Sequence, residues 1–484
     1  MSCKNIIVED SQQQTQSSNN APLPRSGSND LEKHSITNST SESVDFDIPD
    51  GGYGWVVVVC SMLINGCCWG GISGFSVVLA HYLQFNTYEG GTKIDYAVIS
   101  GLCFGSGLIF SPFIVYLIGI TNFRMIMCIG ALAQFASLMC ASYSTKIYQI
   151  YLTSGVLSGF ALALMASNLP SIIPQWFSRR RSLAMGISAA GSGCGGLMFN
   201  LALQRIIDIS SVQWAIRAQA IIVGVVVFTC SLLLRTRGDV IKPKFTAWDN
   251  LVACSFPFWM LASWYVFTML SYVTLQYVIA DATKSLGYSP DQGSITSALM
   301  AAGVIVGRPI LGHLSDAFGS ITIGMLTYSL CGVLCLAMWL PASNLATIYA
   351  FSMIEGATMG FIWGAMGAII PRITGLKRSP VTFGMSWIFI GGAGIVAPII
   401  GLALKRPEKS VNQYNDVAIF SGICFLVAAA SLCILRAYII ARDDIAAQND
   451  SGTSNLDDDK ELKIRVDPNL VWKNIMVIKP RLKV

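Results

Sequence analysis

The residue most suited to chemistry is Arg308, in Gly303-Val-Ile-Val-Gly307-Arg308-Pro309-Ile-Leu-Gly312-His313-Leu-Ser-Asp316. It is the one full charge in an apolar run that begins near Ser294. A charge at that depth in a membrane costs several kcal/mol or more, so a chain keeps it only where it faces protein, water or a solute. Pro309 cannot donate a helix hydrogen bond, which frees the carbonyl of Ile305. Gly312 lies one turn beyond Arg308 on the same face and leaves space beside it. Gly303 and Gly307 form a small-xxx-small pair that lets another helix approach closely. The stretch reads as a packed helix holding a buried cation beside a cavity. Two roles stand for that cation: contact with an anionic or polar solute, or a fixed ion pair that ties helices together.

One acid lies comparably deep, Glu355 in Ser352-Met-Ile-Glu355-Gly-Ala-Thr-Met-Gly360. At 1.5 Å rise per residue it is separated from Arg308 by roughly 9 Å along the membrane normal, a gap that tilt and a long side chain can close. Glu355 is therefore a candidate proton carrier or the partner in a structural ion pair. Asn65, Asn168, Asn200 and Gln276 are candidates for lining a polar cavity, or for joining helices by hydrogen bonds. Trp69, Tyr265, Tyr272, Trp363 and Trp387 are candidates for facing the same cavity, or for facing lipid or core. No nucleophile–base pair, nucleotide-binding loop or metal-ligand spacing is present, and only three histidines occur. The fourteen cysteines fall mostly singly inside apolar runs, as small packing residues. An enzyme, a metal site and a cofactor are not expected, and neither is a nucleic-acid partner at a net charge of only +5.

These residues need a membrane scaffold to position them. With 53% hydrophobic and 12% charged residues in 484, the chain has the balance of a polytopic membrane protein. Apolar runs long enough to cross the bilayer are expected near 55–83, 96–119, 124–143, 147–173, 182–207, 213–234, 253–279, 293–314, 320–341, 346–370, 381–404 and 416–440. The longest internal polar break, near 235–252, divides these twelve spans six and six. The expected organisation is a polar, disordered cytoplasmic tail over 1–49, a six-helix half over 50–234, a cytoplasmic linker over 235–252, a second half over 253–440 and a charged cytoplasmic tail over 441–484. With the N-terminus inside, the inner loops carry eleven Lys and Arg (Arg124, Arg179, Arg180, Arg181, Arg235, Arg237, Lys242, Lys244, Arg372, Lys377, Arg378). The outer loops carry seven (Lys93, Lys146, Arg205, Lys284, Lys405, Arg406, Lys409). Both termini are expected in the cytoplasm. Glycines crowd the fifth span of each half, at Gly186, Gly191, Gly193, Gly195 and Gly196 and at Gly391, Gly392, Gly394 and Gly401. That placement fits a repeated six-helix unit with a site at the interface.

Three segments carry a resemblance. Asp50-Gly51-Gly52-Tyr53-Gly54-Trp55 enters the first span, and Trp176-Phe177-Ser-Arg179-Arg180-Arg181-Ser-Leu183-Ala184-Met-Gly186-Ile-Ser-Ala-Ala190-Gly191-Ser192 leads into the fifth. Both are similar to the two signature segments of the monocarboxylate transporter family of the major facilitator superfamily. Gly312-His-Leu-Ser-Asp316-Ala-Phe-Gly319 resembles the superfamily's loop motif. The long polar N-tail and Gly71-Ile-Ser-Gly-Phe-Ser-Val look most like the fungal branch, the monocarboxylate-permease homologues. The resemblance implies gating and structural roles for Asp50, Gly51, Gly52, Trp55, Arg179, Arg180, Arg181, Gly191 and Asp316. Two departures matter. Proton-coupled animal members carry a lysine where this chain has Ser73, and an aspartate one turn before the arginine where it has Val304. The arginine is retained as Arg308.

The expectation is an all-α, twelve-helix secondary transporter of a small organic solute, working by alternating access in a lipid bilayer. Substrate-binding candidates are Arg308, Asn65 and Asn168, and Glu355 is the proton-coupling candidate. A monocarboxylate-like solute, a riboflavin or other vitamin carrier of the same fold, and a transporter-like sensor without flux all remain open. No cleavable signal peptide is visible, since the first apolar run starts after residue 50 and is long. The plasma membrane is the first expectation for location and the vacuolar membrane the second.

Overall fold

A computed structural model of the chain describes residues 49–85, 88, 93–167, 169–237, 243–406, 413–449 and 466–475. Most of the two expected tails, and Asn168, lie outside the described residues. The elements are all helices. They are α1 (Tyr53–Phe85), α2 (Lys93–Ile109), α3 (Ser111–Ile120), α4 (Phe123–Ser142), α5 (Ile147–Ile150), α6 (Ser158–Ala166), α7 (Arg181–Ile209) and α8 (Val212–Leu233), then α9 (Asn250–Ala253), α10 (Phe256–Ser285), α11 (Pro290–Phe318), α12 (Ser320–Leu334), α13 (Leu345–Met359), α14 (Ile362–Ala403), α15 (Asn415–Asn449) and α16 (Pro468–Asn474). Ten stretches are each long and apolar enough to cross a membrane. The α2–α3 pair, bent by 47°, adds an eleventh. One of the ten, the 59 residues of Leu345–Ala403, holds two spans, because the chain turns at Gly375. Gly375 has φ 72, a value that favours glycine. Before the turn, Gly364 lies against Gly186; after it, Gly384 lies against Pro112 and Val115. Gly401 then reaches Thr274 and Val278, so the second arm returns across the membrane. The result is twelve crossings in two six-helix halves.

The two fourth spans are both interrupted. In the first half, α5 passes through a π-helical stretch, Tyr151–Leu157, into α6, which stops at Ser167 before the 3-10 turns of 169–175. In the second half, the helix breaks between α13 and α14 at Gly360 and Phe361. The helix bearing Arg308 is continuous and well bounded. Ser289 and Gln292 form a capping box at its start, with Pro290 at the first turn, and Gly319 ends it with φ 96.

Small residues set the packing. Gly66 and Gly70 of α1 meet Gly191 and Gly195 of α7, so two backbones touch within the first half. Gly303 and Gly307 of α11 meet Met353 and Ala357 of α13 within the second. Other glycines of the two fifth spans face across the halves. Gly186 and Gly193 of α7 rest on Arg308 and Ile305 of α11, while Gly391 and Gly394 of α14 rest on Leu108 and Phe104 of α2. Gly312 does not leave open space, as its residue type suggested: the backbone of Ser182 fills it.

The face that carries most of the loop Lys and Arg is the inner one by the positive-inside rule. Span twelve runs past its expected end near 440 to Asn449 as α15. Arg372 holds Asp443 there at 2.5 Å. On the opposite face Lys405 pairs with Asp281 at 2.7 Å, and Tyr414 donates to the same carboxylate.

Candidate solute-binding site

Arg308 sits where the halves meet, 4% exposed. Its Nη1 donates to the carbonyl of Ala189 and to Ser192 Oγ, at 2.5 Å for the hydroxyl, both on α7 of the opposite half. Its Nη2 donates to Tyr272 OH at 3.3 Å. Nε has no partner among the described residues. That atom looks onto Gly360, at the break of span ten, where an added Cβ would lie 3.0 Å from Nε and 3.5 Å from Nη2. Nε and Nη2 are the edge of a guanidinium that grips a carboxylate in bidentate fashion. The expected ion pair with Glu355 is not formed. Neither carboxyl oxygen of Glu355 has a hydrogen-bond partner among the described residues, and Glu355 faces span nine beside Cys331 and Cys335. Depth along the membrane was compatible with pairing; the rotation of each helix about its own axis was not fixed by depth. Arg308 is thus a buried cation held by a carbonyl and hydroxyls, with no acid on it among the described residues.

Tyr272 extends the polar surface. Its oxygen takes hydrogen bonds from Arg308 and, at 2.9 Å, from Gln276, one turn toward the outer face. With both lone pairs used, the phenolic hydrogen is left to donate. Gln276 and Ser73 are exposed. Asn200 reaches Ser73 Oγ at 3.4 Å, and its own Oδ1 has no partner among the described residues.

Aromatic rings line the same level. Trp69 of α1 lies 5.8 Å from Trp363 and 6.2 Å from Trp387, with Phe104 at 5.6 Å. Trp363 and Trp387 stack at 5.8 Å, and Tyr272 meets Trp363 edge-on at 6.4 Å. Trp387 is anchored by a 2.7 Å hydrogen bond from its Nε1 to the carbonyl of Ser167, the residue where the fourth span breaks. The cluster joins spans one and two of one half to spans seven, ten and eleven of the other. Single aromatic residues in a membrane sequence carry no signal of such a cluster; only the cross-half packing shows it.

Among the polar candidates, Asn65 is tied up. Its Nδ2 donates to the carbonyl and hydroxyl of Ser188, at 3.2 and 3.0 Å, next to the Ala189 carbonyl that takes Arg308. It joins α1 to α7 beside the cation.

The signature segments come together on the inner face. Asp50, at φ 49, accepts from the backbone N–H groups of Ser178 and Arg179 on one oxygen, at 2.6 and 2.8 Å. Short polar residues tolerate that backbone region better than others. Gly51 and the positive-φ Gly52 carry the chain into α1, where Tyr53 packs on Trp176 and Trp55 on Phe177. Arg179 and Arg180 are exposed, whereas Arg181 turns back to the carbonyl of Phe177 at 2.7 Å. Helix α7 has no cap of its own. Asp316, from the other half, supplies it: Oδ1 takes Ser182 N–H at 2.8 Å and Oδ2 takes Leu183 N–H at 2.9 Å. These are two of the donors that a helix start leaves without an internal partner, and a carboxylate there also meets the positive end of the dipole. Ser182 and Ser320 hydroxyls meet at 2.9 Å alongside. From this cap up to Gly193 the halves are in contact, so the path is shut on the inner side.

A buried cation and an aromatic cluster between two pseudo-equivalent helix bundles, shut at one face by cross-half caps, define a carrier for small solutes. The profile of the Major Facilitator Superfamily matches residues 58–280 and 260–477, and the chain belongs to that superfamily. It is 43% identical, over 86% of its length and 89% of the relative's, to "Probable transporter MCH2" of Saccharomyces cerevisiae. It is 30% identical to "Uncharacterized transporter ESBP6" of the same yeast, over 84% of this chain and 62% of that protein. Among solved structures, the proton:xylose symporter XylE shares the fold with TM-score 0.64 at 11% identity, covering 78% of this chain and 94% of that one. The Escherichia coli fucose:proton symporter FucP does so with TM-score 0.59 at 12%, covering 78% and 98%. The protein is a multi-pass membrane protein and a secondary transporter by family.

Proposed function

We propose that the protein moves a small organic anion of the monocarboxylate type together with a proton. The observation that carries this reading is Arg308: a buried guanidinium at the interface of the halves, with no carboxylate on it and no partner for its Nε among the described residues. An anionic solute supplies the missing charge and replaces bonds that otherwise join the halves. The phenolic hydrogen of Tyr272 offers a further donor. Glu355 is the proton carrier in this reading, because a buried carboxyl with no cation on it among the described residues is tolerated as the neutral acid and costly as the anion. The aromatic cluster favours a second reading of the same site, in which the solute also carries a conjugated ring system, as a vitamin does. XylE and FucP are proton symporters, and their likeness supports the fold.

The test is Arg308→Lys and Arg308→Ala in liposomes and in cells, with the amount of membrane protein measured alongside initial uptake of carboxylates and vitamins. Lysine keeps the charge and loses the planar fork. Uptake should fall by about tenfold or more at unchanged protein level, the loss of one good charge-assisted bond. Normal uptake by Arg308→Lys at a normal level would return the arginine to a purely structural role.

A further inference from the structure

The second half hides a seam of polar atoms that its fold does not satisfy. Trp264 Nε1 and Thr268 Oγ1 of α10, Tyr328 OH of α12, Ser352 Oγ and both oxygens of Glu355 of α13, and Arg308 Nε have no hydrogen-bond partner among the described residues. All but Arg308, at 4%, are 0% exposed. Buried polar groups are nearly always satisfied, and ordered water is the usual remedy where protein partners fail. Elsewhere in these spans several buried hydroxyls bond back to their own helix, as Thr283, Ser386 and Ser431 do, while Tyr265, Ser315 and Ser421 stand singly without a partner among the described residues. Those of the seam do not bond back.

The seam runs from Glu355 to Arg308. Glu355 is faced from span nine by the thiols of Cys331 and Cys335, and by Ser352 and Thr358 of its own span. The surface that span eight packs on α13 there is apolar, with Met300 and Gly303 in contact. No charged group faces Glu355 among the described residues. Cys331 donates to Thr358 Oγ1 at 3.2 Å, and its thiol also lies beside the carboxyl. Tyr328 is one turn before Cys331. Its hydroxyl lies beside Thr268, Trp264 and the backbone of Ile362, without a well-formed bond to any of them, and within electrostatic reach of Arg308. Its ring packs on Phe361, at the break of span ten, at 6.1 Å. Tyr328 thus lies beside Arg308 and beside Cys331, which in turn faces Glu355, and it touches the hinge of span ten.

We infer that water bridges this seam and that Tyr328 is the relay through which a proton passes between Glu355 and the solute cavity at Arg308. The inference rests on the proton-coupled reading above. In the release step the O–H bond of Glu355 breaks and its proton passes to a bridging water. That water gives a proton to the Tyr328 oxygen as Tyr328 gives its own hydroxyl proton to water beside Arg308. Tyr328 ends as it began, Glu355 is left as a carboxylate, and one proton has entered the cavity. The departing anionic solute leaves the charge of Arg308 in the same half uncompensated, which offsets part of the cost of the carboxylate.

The experiment needs no knowledge of the solute. Full-length protein in liposomes is transferred into D2O, and infrared spectroscopy follows the carboxylic acid band that disappears in Glu355→Gln. The band should exchange quickly in the wild type. It should exchange about a hundredfold more slowly in Tyr328→Phe, the lower range of what one positioned proton-transferring group contributes. Tyr328→Phe keeps the ring that packs on Phe361. Thr268→Val, which removes the neighbouring hydroxyl, should slow exchange in the same direction and serves should the first variant be recovered poorly. Unchanged exchange in the variants, slow exchange in the wild type, or no band lost in Glu355→Gln each overturns the relay. Failure of the coupled reading is separate: it shows as wild-type uptake indifferent to an imposed pH gradient, whatever the exchange rates.

Discussion

The two halves share a helix plan and divide the chemistry unequally. In the first, the buried polar side chains of the spans are serines and glutamines, such as Ser61, Ser158, Gln175 and Gln219, and no buried charge lies among its described residues. In the second, Arg308 and Glu355 are both buried within the membrane, on spans eight and ten that share the Gly303–Gly307 seam. The first half answers with backbone: the Ala189 carbonyl for Arg308, the Ser167 carbonyl for Trp387. One half therefore holds the groups that change charge, and the other presents a fixed wall of dipoles against which they work. Such a division lets the halves rock without separating a charge pair, since every bond across the site joins a donor to a carbonyl or a hydroxyl.

Glu355→Gln is the severest way to break this comparison. If charge chemistry is confined to the second half, the amide removes the proton carrier with little change in shape. Net uptake driven by an imposed pH gradient should be lost, while exchange of labelled for unlabelled solute continues. Gradient-driven uptake at the wild-type rate would mean that the proton is carried elsewhere, and the inequality of the halves would lose its functional meaning.

Gly312→Ala sharpens it at the level of the wall. The new methyl would strike the Ser182 backbone of α7, and backbone cannot rotate aside. Overpacking of this kind costs about 1–3 kcal/mol, and here only while the inner side is shut. The ratio of shut to open forms should fall by about tenfold, read as faster hydrogen–deuterium exchange at the start of α7 and the end of α11. Unaltered exchange there would show that the halves tolerate separation at this point without penalty.

How far these features could be read in the sequence depended on what fixed them. Arg308 and Glu355 were legible because a charge inside an apolar run is costly wherever the helix turns. Their separation was not, since hydropathy gives depth and leaves helix rotation open. The turn at Gly375 was legible from Arg372, Lys377 and Arg378 as a loop, although the helices on both sides nearly merge. Helix α15 outlasts the apolar run of span twelve: Arg442 and Asp443 end that run, but the helix continues to Asn449, with the Arg372–Asp443 pair beside it. The aromatic cluster joins Trp69 and Phe104 to residues of the other half hundreds of positions away, and the break at Gly360 packs on Arg308 of another helix; periodicity carries no information on either. Asp316 announced itself as a motif residue, yet its partners, the N–H groups of Ser182 and Leu183, belong to the other half.

That partner choice gives the smallest and most discriminating effect. Asp50 and Asp316 cap the same turn, at the entry to α7, from opposite halves. Asp50 takes both of its N–H groups on one oxygen, whereas Asp316 uses both oxygens, one for each. An asparagine has one carbonyl oxygen and one amino group. Asp50→Asn can therefore keep both hydrogen bonds, and asparagine suits φ 49 as well as aspartate does. Asp316→Asn must either turn an amino group toward the Leu183 N–H or abandon that bond, and it loses the charge at the helix start. The loss is about 1 kcal/mol, typical of a helix cap, and because the bond crosses the halves it falls on the shut form alone. Exchange at Ser182 and Leu183 should rise by about fivefold in Asp316→Asn and stay near wild type in Asp50→Asn. Equal responses in the two variants would mean that the cap from the second half holds the turn and not the gate.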